Sequence, residues 1–288
     1  MNLFTQAIFS GLMTGAVYAL LGVGLVLVYR TARVLNLAHG EAFAMSGIFM
    51  ALLLAWSVPF YLAIVIAVGA SVLLAMGLHR FILRPRGNWP PGTLILITLG
   101  AAFVARGVMI LLVGTDPVSF PAIFDGGPIR FAGGAITLQG IVLVVFGFSA
   151  AAAVGICLTR TQTGKQMLAT AENPYAAELV GVDVERSRLI AYGIGGLYSA
   201  LAGILLIPLI AVDFQSGLSM TMRGFIAAAI SGMSPTGVLL SGFGLGLFES
   251  MIGAYLGALV QDPVMFAILI LVALWQSRNV RFGGGVRA

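Results

Sequence analysis

Charged residues are scarce in this sequence. Aspartate, glutamate, lysine and arginine make up 9% of the 288 residues, whereas 60% of the residues are hydrophobic. A water-soluble domain carries about 25% charged residues, because polar groups must cover much of its surface. This composition excludes a water-soluble globular protein and indicates a chain that lies in a lipid bilayer.

Cysteine and histidine are nearly absent as well. The single cysteine, Cys157, excludes an intramolecular disulfide and a cysteine-cluster metal site. The only histidines are His39 and His79, and the sequence has no H-E-x-x-H or G-x-S-x-G motif. An intramembrane enzyme is therefore disfavoured, and we expect no catalytic residue, no metal site and no cofactor in this chain.

Nine apolar segments follow one another along the chain. A hydrocarbon core about 30 Å thick requires about 20 apolar residues per helix. The seventh and ninth segments are short enough to be half-helices. We predict an all-α polytopic membrane protein, a single transmembrane domain of residues 1–288 with about eight or nine helices, some of them short or re-entrant. The predicted spans are 6–28, 36–56, 58–78, 93–113, 136–158, 189–211, 218–233, 236–258 and 262–277.

The basic residues are concentrated on one side of these spans. Cytoplasmic loops collect arginine and lysine, so the basic side is predicted to be cytoplasmic. The C-terminus then lies inside; nine crossings place the N-terminus outside, and eight place both ends on the same side. The residues on this side are Arg30, Arg33, Arg80, Arg84, Arg86, Arg160, Lys165, Arg186, Arg188, Arg278, Arg281 and Arg287.

Two connections are long. Residues 114–135 are predicted to face outward, and their prolines and glycine pairs suit either a docking platform for an external partner or a plain connector. Residues 159–188 are predicted to be cytoplasmic and carry charges of both signs.

The cytoplasmic connection contains signals for a short helix. Asn173 can cap its first turn, Pro174 is tolerated at the first position, and Gly181 can end it. Such a helix can fit a groove on a partner protein or lie on the bilayer surface. Its predicted apolar face consists of Ala177, Leu179 and Val180.

Two charged residues fall near the middle of predicted spans, Arg106 in 93–113 and Glu249 in 236–258. A charge at the centre of a membrane helix costs about 2.5–3.5 kcal/mol on insertion scales, so each requires a partner or a function. We predict that Arg106 and Glu249 pair, either as a pin between two helices or in the wall of a path.

Polar residues also cluster at the start of the second span. Asn36, His39 and Glu41 can cap the helix and interact with its N-terminus near the membrane surface. Alternatively, they and Gly40 belong to a gate or a helix break. His39 and Glu41 are not expected to bind a metal, because residues two apart on a helix face different sides.

Four sequence blocks together form a recognisable series. They are Gly15, Tyr18, Ala19 and Leu20 with Asn36 to Glu41; Ala169 to Gly181; Ser199 to Gly203; and Gly232 to Gly237 with Gly242, Gly246 and Glu249. In this order the blocks resemble the branched-chain amino acid permeases of ABC importers, of the LivH and LivM type. The chain departs from the family at Leu37, often Phe, and at Ile230-Ser231, often Gly-Gly.

The resemblance implies a subunit of a bacterial inner-membrane importer. Its expected partners are a second permease subunit (LivM-like or a homodimer mate), two ABC ATPases and a periplasmic solute-binding protein, with no nucleic acid. No G-x-x-x-x-G-K-[ST] phosphate loop occurs in the sequence, so ATP is expected to bind the partner subunits. The residues implied to couple to the ATPase are Glu172, Asn173, Pro174, Ala177 and Gly181.

Several alternatives stay open for the solute and the mechanism. The resemblance favours branched-chain, hydrophobic amino acids, but permeases of this type also serve amides, urea and small aromatic acids. A secondary transporter or channel would need no ATPase. Glycine pairs four residues apart can pack helices within one subunit or against the second permease subunit. The pairs are Gly11 with Gly15, Gly242 with Gly246, and Gly253 with Gly257.

Overall fold

A computed structural model describes residues 2–86, 89–124 and 126–283. Within these ranges most residues are helical. The helices are α1 Leu3–Ala32, α2 Glu41–Ala55, α3 Phe60–Gly77, α4 Pro91–Val113, α5 Leu138–Arg160, α6 Gln162–Glu172, α7 Pro174–Leu179, α8 Val184–Leu206, α9 Ser216–Ile230, α10 Gly237–Leu256 and α11 Ala258–Gly283. A short antiparallel hairpin pairs β1 Ile129–Phe131 with β2 Gly134–Ile136. Arg287, counted above among the basic residues, lies outside the described residues.

Seven of the described helices are long and apolar enough to cross a membrane. They are α1, α3 with its helical continuation to Arg86, α4, α5, α8, α10 and α11. The other two apolar segments form α2 and α9, each of 15 residues. The predicted all-α polytopic fold with short segments is thus confirmed.

Several predicted lengths differ from the observed ones, and two of these differences matter for the fold. The ninth segment forms α11 with 26 residues, because the helix continues beyond the apolar run that ends at Trp275. Helix α2 is shorter than predicted and begins at Glu41, because residues 36–40 form turns instead of its first helical residues.

Helix α1 is the centre of the bundle. In the apolar part of α1, 83% of the residues are buried inside the protein, compared with 6% for α11. The side chain of Asn2 caps its first turn by accepting a hydrogen bond from the backbone N–H of Phe4 at 3.2 Å. Arg33 ends the helix in the left-handed conformation, with φ of 56°.

Glycines bring α1 and α10 into backbone contact along the glycine seam, which we define as Gly11, Gly15, Gly242 and Gly246. A Cβ atom at Gly15 would lie 2.8 Å from the Cα of Phe243, and one at Gly242 would lie 2.6 Å from the backbone N of Ala19. Real Cβ atoms do not approach so closely, so both positions need glycine. These two predicted pairs therefore pack helices within the subunit.

The third predicted glycine pair does not form a helix seam. A Cβ atom at Gly253 would collide with the side chain of Gln261 at the start of α11. Gly257 has φ of 93° and ends α10, so its role is the turn between the two helices.

Residues 33–40 turn back into the bundle after α1. The ring of His39 lies 3.1 Å from the backbone oxygen of Leu21 through its Nε2 atom. At about 1.5 Å per residue, Leu21 lies about 16 Å along the axis from the end of α1. We call residues 33–40 the re-entrant segment; it places the start of α2 deep within the bundle.

Helix α9 begins beside the start of α2. The backbone N–H of Gly40 donates to the hydroxyl oxygen of Thr221 at 2.8 Å, and the backbone of Gly217 packs against the carboxylate of Glu41. The interior of the bundle therefore holds two helix starts next to each other.

The remaining connections gather at the two ends of the bundle. At the hairpin end, Asn2 pairs with Gly133, and the loops after α4 and α8 join through Val118 and Val212. At the α7 end, the Arg33 side chain donates to the backbone oxygen of Ala171 at 2.6 Å.

Candidate functional site

A buried ion pair joins α4 to the start of α2. Both Nε and Nη2 of Arg106 donate to Oε1 of Glu41 at 3.0 Å. The side chains are 13% and 3% exposed, respectively. Because a lone charge at this depth is costly, each residue supplies the partner that the other needs.

A second buried network surrounds Glu249 on α10. Nε of Arg223 donates to its Oε1 at 3.0 Å, and the hydroxyl of Tyr18 donates to its Oε2 at 2.6 Å. Arg223 also donates through Nη2 to Oδ1 of Asp262 at 2.8 Å and through Nη1 to the hydroxyl of Ser219. The network thus links α1, α9, α10 and α11.

The predicted pair between Arg106 and Glu249 is wrong. Each residue is buried and paired as expected, but with a different partner. The reason is the depth of the two short helices: α2 carries Glu41 inward to Arg106, and α9 carries Arg223 inward to Glu249. The sequence pattern places Glu41 at the membrane surface and does not mark Arg223 as a partner for either charge. Arg223 lies six residues inside an apolar segment, and this was the signal that could have identified it.

One oxygen of Glu41 stays without a hydrogen-bond partner among the described residues. This atom, Oε2, is buried and lies against Gly217 in the first turn of α9. The positive end of a helix dipole stabilises a nearby carboxylate, so α9 partly compensates for the missing hydrogen bond.

Helices α4, α9 and α11 enclose a cleft of about 280 Å³, here called the α9 cleft. Arg106, Gln215, Ser219, Arg223 and Asp262 form its polar wall. Its apolar wall consists of Leu218, Met222, Ile226, Met265 and Phe266. The cleft therefore combines the arginines of both ion pairs with a surface suited to hydrocarbon.

A second cavity of about 290 Å³ lies on the other side of Arg223, between α1, α9 and α10. Half of its lining residues carry a hydroxyl group: Ser10, Thr14, Tyr18, Ser216, Ser219 and Ser250. Because Arg223 and Ser219 line both spaces, they form the partition between them.

The re-entrant segment is fixed by hydrogen bonds. The Asn36 side chain accepts from the backbone N–H of Ala38 at 3.1 Å, so it caps a turn before the helix. The backbone oxygen of His39 accepts from the hydroxyl of Ser199 at 3.0 Å. No group of three or more metal-ligating side chains occurs in the part of the chain that the structure describes.

Helix α7 has the predicted local structure. The Asn173 side chain accepts from the backbone N–H of Ala176 at 3.1 Å, Pro174 occupies the first position, and Gly181 follows with φ of 84°. The predicted apolar face is wrong in one residue, because Ala177 is 3% exposed and packs inward. The exposed face, which we call the α7 face, is formed by Tyr175, Leu179 and Val180.

Comparison with known proteins identifies the family. A family model for the permease component of branched-chain amino acid transport systems matches residues 7–273, which is most of the chain. The chain belongs to this permease family. Its members are membrane translocation subunits, so this chain is a multi-pass membrane permease and not an enzyme.

Individual relatives agree with the family. The chain is 29% identical to the high-affinity branched-chain amino acid transport permease LivH of Escherichia coli K12, covering 94% of this chain and 93% of the relative. It is 26% identical to BraD of Pseudomonas aeruginosa, with 96% and 95% covered. The autoinducer 2 import permease LsrC of Escherichia coli O9:H4 is 30% identical, with 89% and 70% covered.

The permease fold also occurs among solved structures. A chain of PsaBC from Streptococcus pneumoniae in complex with Fab matches with a TM-score of 0.57. The match covers 99% of this chain and 96% of that chain, at 12% sequence identity. At this identity the match shows the fold alone.

Proposed function

We propose that this chain is the permease subunit of an ABC importer that moves branched-chain, hydrophobic amino acids across a bacterial inner membrane. Residues 1–288 then form one permease domain. The observation that carries the proposal is the α9 cleft, where Arg106 and Arg223, each paired with a buried glutamate, face an apolar wall beside the start of α9. Such helix starts within a membrane protein are common places for solute binding.

The α7 end is proposed to face the cytoplasm and two ABC ATPases. Arginine and lysine concentrate at this end, in agreement with the positive-inside rule. The α7 face projects from the bundle and suits a groove on an ATPase. Glu172, Asn173 and Pro174 set where α7 begins, and Ala177 and Gly181 hold and end it. In this orientation the C-terminus is cytoplasmic and the N-terminus periplasmic.

The hairpin end is then proposed to receive the periplasmic solute-binding protein. A second permease subunit, either a LivM-like chain or another copy, is proposed to cover the α9 cleft. The charges that line the cleft support this arrangement. Lipid does not solvate charged groups, so a protein partner is the more favourable cover for this wall.

The re-entrant segment is proposed to act in gating together with Glu41. Asn36, His39 and Gly40 hold it by hydrogen bonds to its own turn, to α1 and to α9. A shift of α9 therefore changes the contacts of this segment directly. ATPase closure is proposed to act on the interior through such a change between two packings.

Uptake into proteoliposomes tests the proposed function. The chain is reconstituted with its partner permease, ATPases and binding protein, and the initial rate of L-leucine uptake is measured with and without ATP. We expect uptake to require ATP, and acetamide, urea and benzoate to be carried at least tenfold more slowly. Leucine uptake that persists without ATP would favour a secondary transporter, and faster uptake of another solute would replace the amino acid.

A substitution on the α7 face tests the coupling contact. Leu179 is 72% exposed, so Leu179→Asp should insert and fold normally while it weakens ATPase binding and lowers uptake at least tenfold. The matched control is Gln166→Asp, at an exposed position of α6 on the same end, which should keep the normal rate. Normal uptake in Leu179→Asp would remove α7 from the coupling path.

A further inference from the structure

The α9 cleft presents one carboxylate to its open space. Asp262 is 67% exposed and uses only Oδ1 in its hydrogen bond to Arg223. The carboxylates of Glu41 and Glu249 are 3% and 8% exposed and lie behind their arginines. A ligand in the cleft therefore meets Asp262 as the accessible negative group.

The charges around the cleft do not cancel. Arg106 and Arg223 are matched against Glu41, Glu249 and Asp262, so two arginines and three carboxylates leave a formal charge of −1. A simple carboxylate ligand adds negative charge to this site. By contrast, an ammonium group is attracted to Asp262 at short range, where the surrounding protein screens charge less than water does.

Arg106 supplies a complementary donor. Its Nε and Nη2 atoms are both directed to Glu41, and Nη1 has no hydrogen-bond partner among the described residues. Arginine can bind a second carboxylate through a remaining N–H group. The cleft thus offers an acceptor for an ammonium group on α11 and a donor for a carboxylate group on α4.

The rest of the cleft suits hydrocarbon. Leu218, Met222 and Ile226 follow one face of α9 at a spacing of four residues, opposite Met265 and Phe266 of α11. A volume of about 280 Å³ leaves room for one small solute. An uncharged amide or urea would make no ionic contact with Asp262 or Arg106 beyond the ion pairs that these two residues already form.

We propose that the α9 cleft is a solute site for apolar α-amino acids, with the ammonium group on Asp262, the carboxylate on Arg106 and the side chain on the apolar wall. This assignment rests on the proposed function, which supplies the direction of transport. Its separate claim is that the permease cleft recognises both charged groups of the amino acid. The permease itself, in addition to any binding protein, would then select for the zwitterion.

Saturation-transfer NMR on the assembled permease complex, without the binding protein, tests this site. Three probes of similar shape are compared: L-leucine, 4-methylpentanoate, which lacks the ammonium group, and 3-methylbutylamine, which lacks the carboxylate. We expect L-leucine to bind about tenfold more tightly than either analogue, the effect of one charge-assisted hydrogen bond. Asp262→Asn should remove the preference for L-leucine over 4-methylpentanoate, and the control Asp262→Glu should retain it.

Two results would overturn the assignment: equal binding of the three probes, or unchanged L-leucine binding in Asp262→Asn. Because Asp262 is largely exposed, neither variant should alter the fold, and the thermal unfolding midpoint checks this. The uptake assay separates this proposal from the proposed function. If the wild-type complex imports L-leucine but the probes bind equally, only the cleft assignment fails. If L-leucine binds in an Asp262-dependent manner but is not imported, the proposed transport function fails.

Discussion

The two buried ion pairs differ in how many partners support each glutamate. Glu41 receives hydrogen bonds from Arg106 alone, both at Oε1, and its other oxygen has no partner among the described residues. Glu249 receives one hydrogen bond at each oxygen, from Arg223 and from Tyr18. Both glutamates are almost fully buried, so burial alone does not distinguish them.

This difference suggests two kinds of intramembrane charge. The network at Glu249 joins the central helix α1 to three other helices and loses only part of its bonding when one member is removed. At Glu41, a single residue on α4 connects to the start of α2. Helix α4 is mostly exposed, because only 22% of the residues in its apolar part are buried. The Glu41 pair is therefore the one that a change in α4 position can break.

Removal of Arg106 should have the largest effect on stability. Arg106→Gln leaves the carboxylate of Glu41 buried without a counter-charge, and we expect the free energy of unfolding to fall by about 3–5 kcal/mol. Denaturant unfolding in mixed micelles measures the change. Arg106→Leu combined with Glu41→Leu is the control and should recover most of the loss, because apolar residues replace a buried pair at little cost. A loss of less than about 1 kcal/mol in the unfolding free energy of Arg106→Gln would contradict the interpretation that Glu41 depends on a single partner.

Arg223→Gln should have an intermediate effect. Tyr18 continues to donate to Glu249, and the side chain of Asp262 is largely exposed and not buried without a partner, so we expect a loss of about 2–3 kcal/mol in the same unfolding measurement. If Arg223→Gln is less stable than Arg106→Gln, the remaining hydrogen bonds of the Glu249 network do not compensate for the loss of one member.

Tyr18→Phe should have the smallest effect. It removes one hydrogen bond to a charged group without changing the packing of the ring, for an expected loss of about 1.5 kcal/mol. A double-mutant cycle with Arg223→Gln sharpens the comparison. Because each donor supports Glu249 when the other is absent, the combined loss should exceed the sum of the single losses. Simple additivity would show that the two donors act independently.

The apolar segments and the short helix α7 are predictable from the sequence because hydropathy and capping are local signals. Asn173, Pro174 and Gly181 determine α7 within a few residues, and the structure agrees. Arg106 and Glu249 are likewise predictable as buried charges, because each lies near the middle of an apolar segment. Local signals suffice wherever one segment determines its own structure.

The partners of those charges could not be predicted in the same way. A hydropathy window merges residues 36–40 with α2, so the depth of Glu41 was not visible in the sequence. Pairing also depends on contacts between residues far apart in the chain: Arg106 and Glu41 are 65 residues apart, and Tyr18 and Glu249 are 231 apart. Only the assembled helices bring these groups together.

The glycine seam has a consequence for the synthesis of the protein. Tyr18 and Glu249 are separated by 231 residues, so α1 is made long before α10. At about 5–20 residues per second, a ribosome needs roughly 10–50 s to bridge that interval. During this time the glycine face of α1 has no α10 to contact and depends on the insertion machinery or on lipid. Nascent chains that stop before residue 237 would therefore lack the seam and become substrates for membrane quality control.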